Sequence, residues 1–500
     1  MKTFLMYKDR SLDQSGSLAD GSADLLKDLG FEVIISSMSN GNKFIEEVSR
    51  KAMVQLVTDS EDLAYRQEVI KDALENSTQI IEMYNILTSA VEEAKERYFW
   101  ASVSKPEFVL HESVGIIKIF VDALEKIRNI LDLNVSKFRS QGFTGLHKLA
   151  TEEFGADYCS QVTQQLKNLE FSSGIPVEAR LGPGNLITSY KLINPEENGG
   201  GWSSVLSLRK KGKQYTFTLP DRDESGAEIM GTMRARAIHE VAYVLKSASE
   251  HVLKYIDSLR SELAFLVGAI NLYAKTKEIG VPTSFPNPAP NLSATTKFRN
   301  LVDLALALKN GGKTVGNDLT NEGKPLIIVT GANRGGKSTF LRSLGQAQIM
   351  MQVGMFVAAD EFSSSICSSI FTHFKREEDA GIRMGKFEEE LYRLSQIVDN
   401  LKPGSLVLFN ESFSSTNAVE GARIAEQVID ALINLGVRVV YVTHIFELGE
   451  IYRNKNPEGT LFLKAERKED GTRTFKIIPG FPSETSYAMD VFRSVFNESV

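Results

Sequence analysis

Apolar positions recur at steps of three and four through much of the first half of the chain, then shorten into continuous runs in the second half. From Lys43 to about Leu133 the pattern is helical, with few breakers. The segment "VTDSEDLAYRQEVIKDAL" (Val57–Leu74) opens with an Asp-Ser cap signal before its apolar stripe. Around 177–223 the period changes to two. "WSSVLSLR" (Trp202–Arg209) and "QYTFTLP" (Gln214–Pro220) alternate as strands, and "KKGK" between them predicts a β-hairpin with Gly212 in the turn. Ile238, Val241, Leu245, Ala248, Val252, Ile256, Leu259, Leu263 and Leu266 then form a heptad-type seam. The helix it predicts, from about 228 to about 275, would extend roughly 70 Å at ~1.5 Å per residue. Such a helix suits the core of a bundle, and it also suits a stiff lever between distant sites. "GVPTSFPNPAP" (Gly280–Pro290) ends the helix and marks a boundary. Residues 1 to about 45 mix short apolar runs with Gly and Ser and predict no element.

From about Lys297 the pattern is α/β. "KPLIIVT" (Lys324–Thr330), "SLVLFN" (Ser405–Asn410) and "VRVVYVT" (Val437–Thr443) are apolar runs of strand length, with helical segments such as Val419–Gly436 between them. That alternation predicts a mostly parallel sheet covered on both faces. Two more strands, "GTLFLKAER" and "TRTFKIIPG", are joined at "KEDGT". The expected fold is an α/β domain at 291–500 following a mainly helical domain at 1–290, the latter with a β-rich insertion at about 177–223.

Composition narrows the classes. Of the 500 residues, 42% are hydrophobic and 24% charged, and the net charge is −7, so nucleic-acid contact would have to come from local patches. Arg209, Lys210, Lys211 and Lys213 form one such patch, which would equally serve as a solvated turn. The two cysteines, Cys159 and Cys367, allow neither a disulfide framework nor a cysteine zinc site and fit a reducing compartment. The first residues lack a signal-peptide run, and the longest apolar stretch, Leu263–Ala274, is too short to span a membrane. The expected location is the cytoplasm.

The chemistry centres on "TGANRGGKSTFLRSL" (Thr330–Leu344), which follows a predicted strand and opens a predicted helix. Gly331, Gly336, Lys337 and Ser338 have P-loop spacing. Glycines let backbone N–H groups curl around phosphate oxygens, Lys337 reaches the β and γ phosphates, and the Ser338 hydroxyl ligates Mg²⁺. Gly331, Ala332, Asn333, Arg334, Gly335, Gly336, Lys337, Ser338 and Thr339 are the expected ATP contacts. A nucleotide hydrolase commonly ends its metal-side strand on Asp-Glu, whereas "LVLFNES" (Leu406–Ser412) ends on Asn410-Glu411.

Here the chain resembles a family. "TGANRGGKST" is similar to the "TGPNMGGKST" loop of MutS-type DNA mismatch-repair ATPases. "GMFVAADEF" (Gly354–Phe362), "LVLFNESFSSTNAVEGARIA" (Leu406–Ala425) and "VTHIFEL" (Val442–Leu448) resemble later family segments in order, and "QLVTDSEDLAYRQEVI" (Gln55–Ile70) resembles its core domain. "YTFTLPDRD" and the long helix after it resemble the lever region. The resemblance implies that Glu411 polarises the attacking water and His444 senses the γ-phosphate. Lys337, Glu411 and His444 would then be the catalytic set, with Mg²⁺ at Ser338, Asn410 and Glu411.

The departures shape the rest of the expectation. Arg334 stands where the family has Met, either as an added cation at the nucleotide or as a surface residue. "GKF" (Gly385–Phe387) replaces the family's "STF", which reaches a partner's nucleotide across a dimer; Lys386 could supply a cation there, or the stretch is only a charged helix start. The Phe-x-Glu mismatch wedge has no counterpart domain, Phe44-x-Glu46 lying in a helical pattern, and there is no Smr-type tail or long clamp insertion. The implied protein is an ATP-dependent DNA-binding switch of repair or recombination. It would act as a homodimer or MutS-related heterodimer on branched or duplex DNA rather than on mismatches. A nucleotide-binding scaffold that hydrolyses little and does not touch DNA is the alternative, favoured by Asn410, Gly385 and the net acidity. A transporter or chromosome-condensation ATPase would need an LSGGQ-like signature or hundreds of coiled-coil residues.

Overall fold

A computed structural model of the chain describes residues 4–12, 21–101, 105–171, 177–185, 187–192, 224–289, 294–331, 333–376, 385–468 and 472–481. The predicted hairpin at Trp202–Pro220, with Arg209, Lys210, Lys211 and Lys213, lies outside these residues, as does Ala332.

In chain order the first elements are helices α1 (Ser22–Asp28), α2 (Phe31–Ser39), α3 (Lys43–Ala52), α4 (Ser60–Glu75), α5 (Ser77–Ala101), α6 (Pro106–Leu133), α7 (Gln141–Glu152) and α8 (Ala156–Asn168). Strands β1 (Val177–Leu181) and β2 (Ile187–Leu192) precede α9 (Glu224–Glu278). Then come β3 (Asn287–Ala289), β4 (Thr295–Leu301), α10 (Leu304–Lys309), β5 (Asn317–Glu322), β6 (Leu326–Thr330), α11 (Lys337–Gln352), β7 (Glu361–Ser365) and β8 (Ile370–Phe374). The last are α12 (Lys386–Asp399), β9 (Leu406–Asn410), α13 (Ala418–Asn434), β10 (Arg438–Val442), α14 (Phe446–Lys455), β11 (Thr460–Arg467) and β12 (Arg473–Pro479). The cap read at Asp59-Ser60 starts α4, where the Asp59 carboxylate accepts the Glu61 and Asp62 amides and satisfies two open helix donors.

Packing divides the chain into two compact units. The first holds residues 81–138 and 144–260. It is mainly helical, with an apolar core formed by Leu110 and Val114 of α6, Leu166 of α8, and Ile238 and Ala242 of α9. The antiparallel pair β1–β2 belongs to it.

The second unit holds residues 4–80, 139–143 and 261–500. Its centre is a six-stranded sheet of order β12-β11-β6-β10-β9-β8, parallel except for β12 against β11. Both faces are covered. Val407, Phe409, Val439 and Tyr441 pack with Ala425 and Ile429 of α13 and Leu448 of α14. On the opposite side Leu408 meets α11, where a Cβ at Gly345 would stand 2.8 Å from it and 2.7 Å from Leu29. Short α1 and α2 lie in this unit because tertiary burial of Leu25, Leu26, Phe31, Ile34, Ile35 and Met38 stabilises helices too short to persist alone. Their pattern was too brief to register in the sequence.

A second sheet, β3-β7-β4-β5, was also not anticipated. Strand β5 buries Asn317, Leu319 and Asn321 on one face, so two of its inward positions are polar and the hydrophobic alternation is hidden. Asn321 is satisfied there by the Ala294 and Lys324 carbonyls and the Lys324 amide. A break near 290 follows sequence pattern; packing instead groups residues 4–80 with the C-terminal part. Among the described residues no helix is long and apolar enough to cross a membrane.

Candidate nucleotide site

The site lies where β6, β9, β10 and β8 end on one edge of the parallel sheet, the usual place for ligands in open α/β folds. Strand β6 is buried along its length and delivers Gly331 at φ 120°. A side chain there would press on Ala465, 3.0 Å from its Cβ and 3.1 Å from its amide nitrogen. Gly336, at φ 94°, is the N-cap of α11 and lies against the Phe475 carbonyl. Both positions therefore require glycine for conformation and for space. Arg334 takes the left-handed conformation without being glycine, at φ 61°, and its side chain is exposed at the mouth of the site.

The Lys337 ammonium donates to the Gly331 carbonyl at 2.9 Å and lies 3.6 Å from the Glu411 carboxylate. Burial pulls its pKa down, and Glu411 offsets part of that. The Ser338 hydroxyl donates to Asn410 Oδ1 at 2.8 Å. Glu411 and Phe413, just past β9, both have left-handed backbones, at φ 56° and 57°. The Glu411 amide donates to the Val442 carbonyl at 2.9 Å, tying the end of β9 to β10. His444 Nδ1 contacts the Glu411 carboxylate directly. Burial opposes ionisation of Glu411, but the His444 contact and the Lys337 charge outweigh it and hold the carboxyl below its ordinary range.

Lys337, Ser338, Glu411 and His444 line a cavity of about 900 Å³, together with Asn333, Gly335 and Thr339, and Asn410 lies behind Ser338. Its lining carries four cations, Lys313, Arg334, Lys337 and Lys375, against one carboxylate, Glu411. In an acidic chain that local excess favours a polyanion. Leu306, Val315 and Phe475 form an apolar stretch of the lining that suits a flat ring.

Sequence reading placed the P-loop, Asn410, Glu411 and His444, and the structure brings them together. It missed Lys313, Lys375 and Phe475, which come from a loop before β5, the end of β8 and the last strand. Only Lys375 had a signal, as a basic residue closing an apolar strand run. It also missed the support behind Glu411. Buried Glu390, on α12, accepts the Phe413 amide and the Ser415 hydroxyl, each at 2.9 Å. Buried His373 donates from Nε2 to the Glu390 carbonyl at 2.9 Å, and its Nδ1 lies 2.7 Å from the Ser412 hydroxyl. Gly421 lets α13 approach closely, since a Cβ there would stand 2.4 Å from the Phe413 carbonyl. Gly385 is the N-cap of α12 and offers no side-chain cap, and Lys386 is the exposed first residue of that helix.

Residues 58–279 match the model of the MutS2 N-terminal domain, and residues 327–499 match MutS domain V. The DNA mismatch repair protein MutS of Clostridium tetani is 23% identical over 95% of this chain and 51% of its own length. Endonuclease MutS2 of Geobacillus thermodenitrificans is 28% identical over 52% of this chain and 33% of its own. MutS protein homolog 4 of Mus musculus is 29% identical over 57% and 30%. The chain thus spans about half or less of the length of these curated relatives. Two MutS domain models in order, on a chain whose P-loop, Asn410-Glu411 strand and Thr443-His444 turn meet at one sheet edge, show that this protein belongs to the MutS family.

Proposed function

We propose that the protein is an ATPase that couples ATP binding and hydrolysis to a conformational switch on DNA, in repair or recombination. The observation that carries this reading is the convergence of Lys337, Ser338, Glu411 and His444 on one cationic cavity, with Asn410 bonded to Ser338 behind its lining. A hydroxyl, an amide oxygen and a carboxylate side by side form a hard-oxygen donor set that fits Mg²⁺. When bound there, Mg²⁺ supplies charge neutralisation across the β and γ phosphates.

The chain's own residues do the positioning. P-loop amides and the start of α11 hold phosphate oxygens. Lys337, held by the Gly331 carbonyl, would turn its ammonium to a terminal phosphate. Glu411, kept ionised, accepts a hydrogen bond from a water aimed at the γ-phosphorus. His444 fixes the Glu411 carboxylate and reaches the same phosphate. The apolar stretch of Leu306, Val315 and Phe475 receives the base. A second copy or a MutS-related partner would complete each site through Lys386, and α9 would carry the change to a DNA contact at Arg209, Lys210, Lys211 and Lys213. Mismatches as such are not the proposed target.

The test is binding of a branched duplex and of plain duplex across salt concentrations, with ATP, ADP and no nucleotide, alongside phosphate release. The expected result is nucleotide-dependent affinity that falls steeply with salt, as phosphate contacts require, and hydrolysis altered by DNA. ATP turnover with no DNA binding at any salt concentration would leave the ATPase and remove the DNA switch.

A further inference from the structure

We infer that Lys375 is a phosphate-positioning cation of this site, adding charge beside the Asn410 strand end, where an amide in place of an acid draws a metal ion less strongly. The inference rests on the ATPase reading and extends it. Lys375 follows β8, whose last residue, Phe374, pairs in register with Asn410. Its backbone amide donates to the Asn410 carbonyl at 3.0 Å. Its ammonium donates to the Ser414 hydroxyl at 2.9 Å, and that hydroxyl donates to the Glu411 carbonyl at 2.7 Å. Lys375 is therefore tied, directly and through Ser414, to the backbone carbonyls of Asn410 and Glu411, and it lines the cavity with Lys337 and Ser338.

The charge pattern gives this geometry its meaning. Among the described residues, the ammonium's hydrogen-bond partner is a neutral hydroxyl, and no ion pair joins it to a described carboxylate. An acid at position 410, on the strand paired with the one that Lys375 follows, would add a negative charge competing for the ammonium. With an amide at 410, the positive charge stays available to an anionic ligand. A nucleoside triphosphate carries its highest charge density at the γ-phosphate, and a metal ion and an ammonium compete to neutralise the same oxygens. The contribution of Lys375 must then be largest when the metal is absent and shrink when it is present, since like charges on one phosphate oppose each other.

Equilibrium dialysis of ATP with the full chain tests this, in EDTA and in saturating Mg²⁺, for wild type, Lys375→Ala, Lys375→Arg and Lys337→Ala. Lys375 is exposed, so replacing it leaves the core intact. The expected result is a loss of about tenfold or more for Lys375→Ala in EDTA, about threefold or less in Mg²⁺, with Lys375→Arg near wild type in both, as a through-space charge predicts. Equal losses in the two conditions, no loss in EDTA, or failure of arginine to restore binding would each overturn the inference. If wild type binds ATP and only Lys337→Ala loses it, the role of Lys375 fails while the nucleotide site stands. If wild type binds no ATP in either condition, the ATPase reading and this inference fall together.

Discussion

Replacing Glu390 with Gln tests whether α12 holds Glu411, the proposed water-orienting residue, in place. The Glu390 side chain is 4% exposed and accepts from the Phe413 amide on one oxygen and from the Ser415 hydroxyl on the other. In Gln the amide oxygen can keep the Phe413 amide and the NH₂ can donate to the Ser415 hydroxyl, so both contacts can persist but the charge that strengthens them is lost. A hydrogen bond to a charged group is worth ~1.5–3 kcal/mol against ~0.5–1.5 kcal/mol for a neutral one, so the restraint weakens by about 1–2 kcal/mol. The segment it restrains already holds Glu411 and Phe413 in left-handed backbone, which costs ~1 kcal/mol or more per residue without glycine. Held less firmly, the segment can relax and take Glu411 with it. A shift costing about 1.4 kcal/mol at the transition state lowers turnover about tenfold. The expected outcome for Glu390→Gln is therefore kcat down about tenfold, with ATP affinity within about twofold, because no P-loop contact changes. Steady-state phosphate release and equilibrium ATP binding on the same preparation measure both. Unchanged kcat with a stability loss of the full ~2 kcal/mol would refute the reasoning and leave Glu390 as a purely structural acceptor.

Two further expectations follow from the same region. Asn410→Asp adds a negative charge beside the Ser338 hydroxyl, which already donates to position 410 at 2.8 Å; the Mg²⁺ concentration for half-maximal hydrolysis should fall about tenfold, and an unchanged or raised value contradicts the metal-side role of this residue. Burial, helped by the Arg393 and Arg376 charges, pushes the His373 imidazole down to about 4. The unfolded chain takes up that proton near its ordinary value of ~6.5, so the stability due to neutral His373 is complete above ~6.5 and drains away as pH falls toward about 4, by ~3 kcal/mol in all. Urea unfolding of wild type and His373→Asn across that window checks it: the wild-type advantage should shrink as pH falls, and parallel curves would contradict it.

Much of the candidate nucleotide site was legible in the sequence because its residues lie at the ends of apolar runs. The strands at Leu326–Thr330, Leu406–Asn410 and Arg438–Val442 are buried on both faces, so they read as unbroken hydrophobic blocks with polar residues at their ends. Glycine spacing located the P-loop for the same local reason. Less visible was anything set by tertiary contact. Lys313, Lys375 and Phe475 join the cavity from segments far apart in sequence, and only Lys375, closing an apolar strand run, carries a local mark. Buried Asn317 and Asn321 broke the alternation that would have revealed β5. Glu390 looked like one acid among three in "EEE", although Glu388 is exposed, Glu389 is half-buried and Glu390 alone is buried. Arg334 was read as a cation at the nucleotide or as a surface residue, and its exposed place at the cavity mouth fits both.

The most direct test of the account is a comparison of wild type with Glu411→Gln, measuring ATP binding and steady-state phosphate release on each. Gln at 411 keeps the size of the side chain near Lys337 and His444 but removes the charge that orients the attacking water. The account predicts ATP affinity within about threefold of wild type and turnover reduced by about a hundredfold or more. If Glu411→Gln releases phosphate as fast as wild type, hydrolysis does not run through this strand, and the protein is a nucleotide-binding scaffold rather than the switch proposed here.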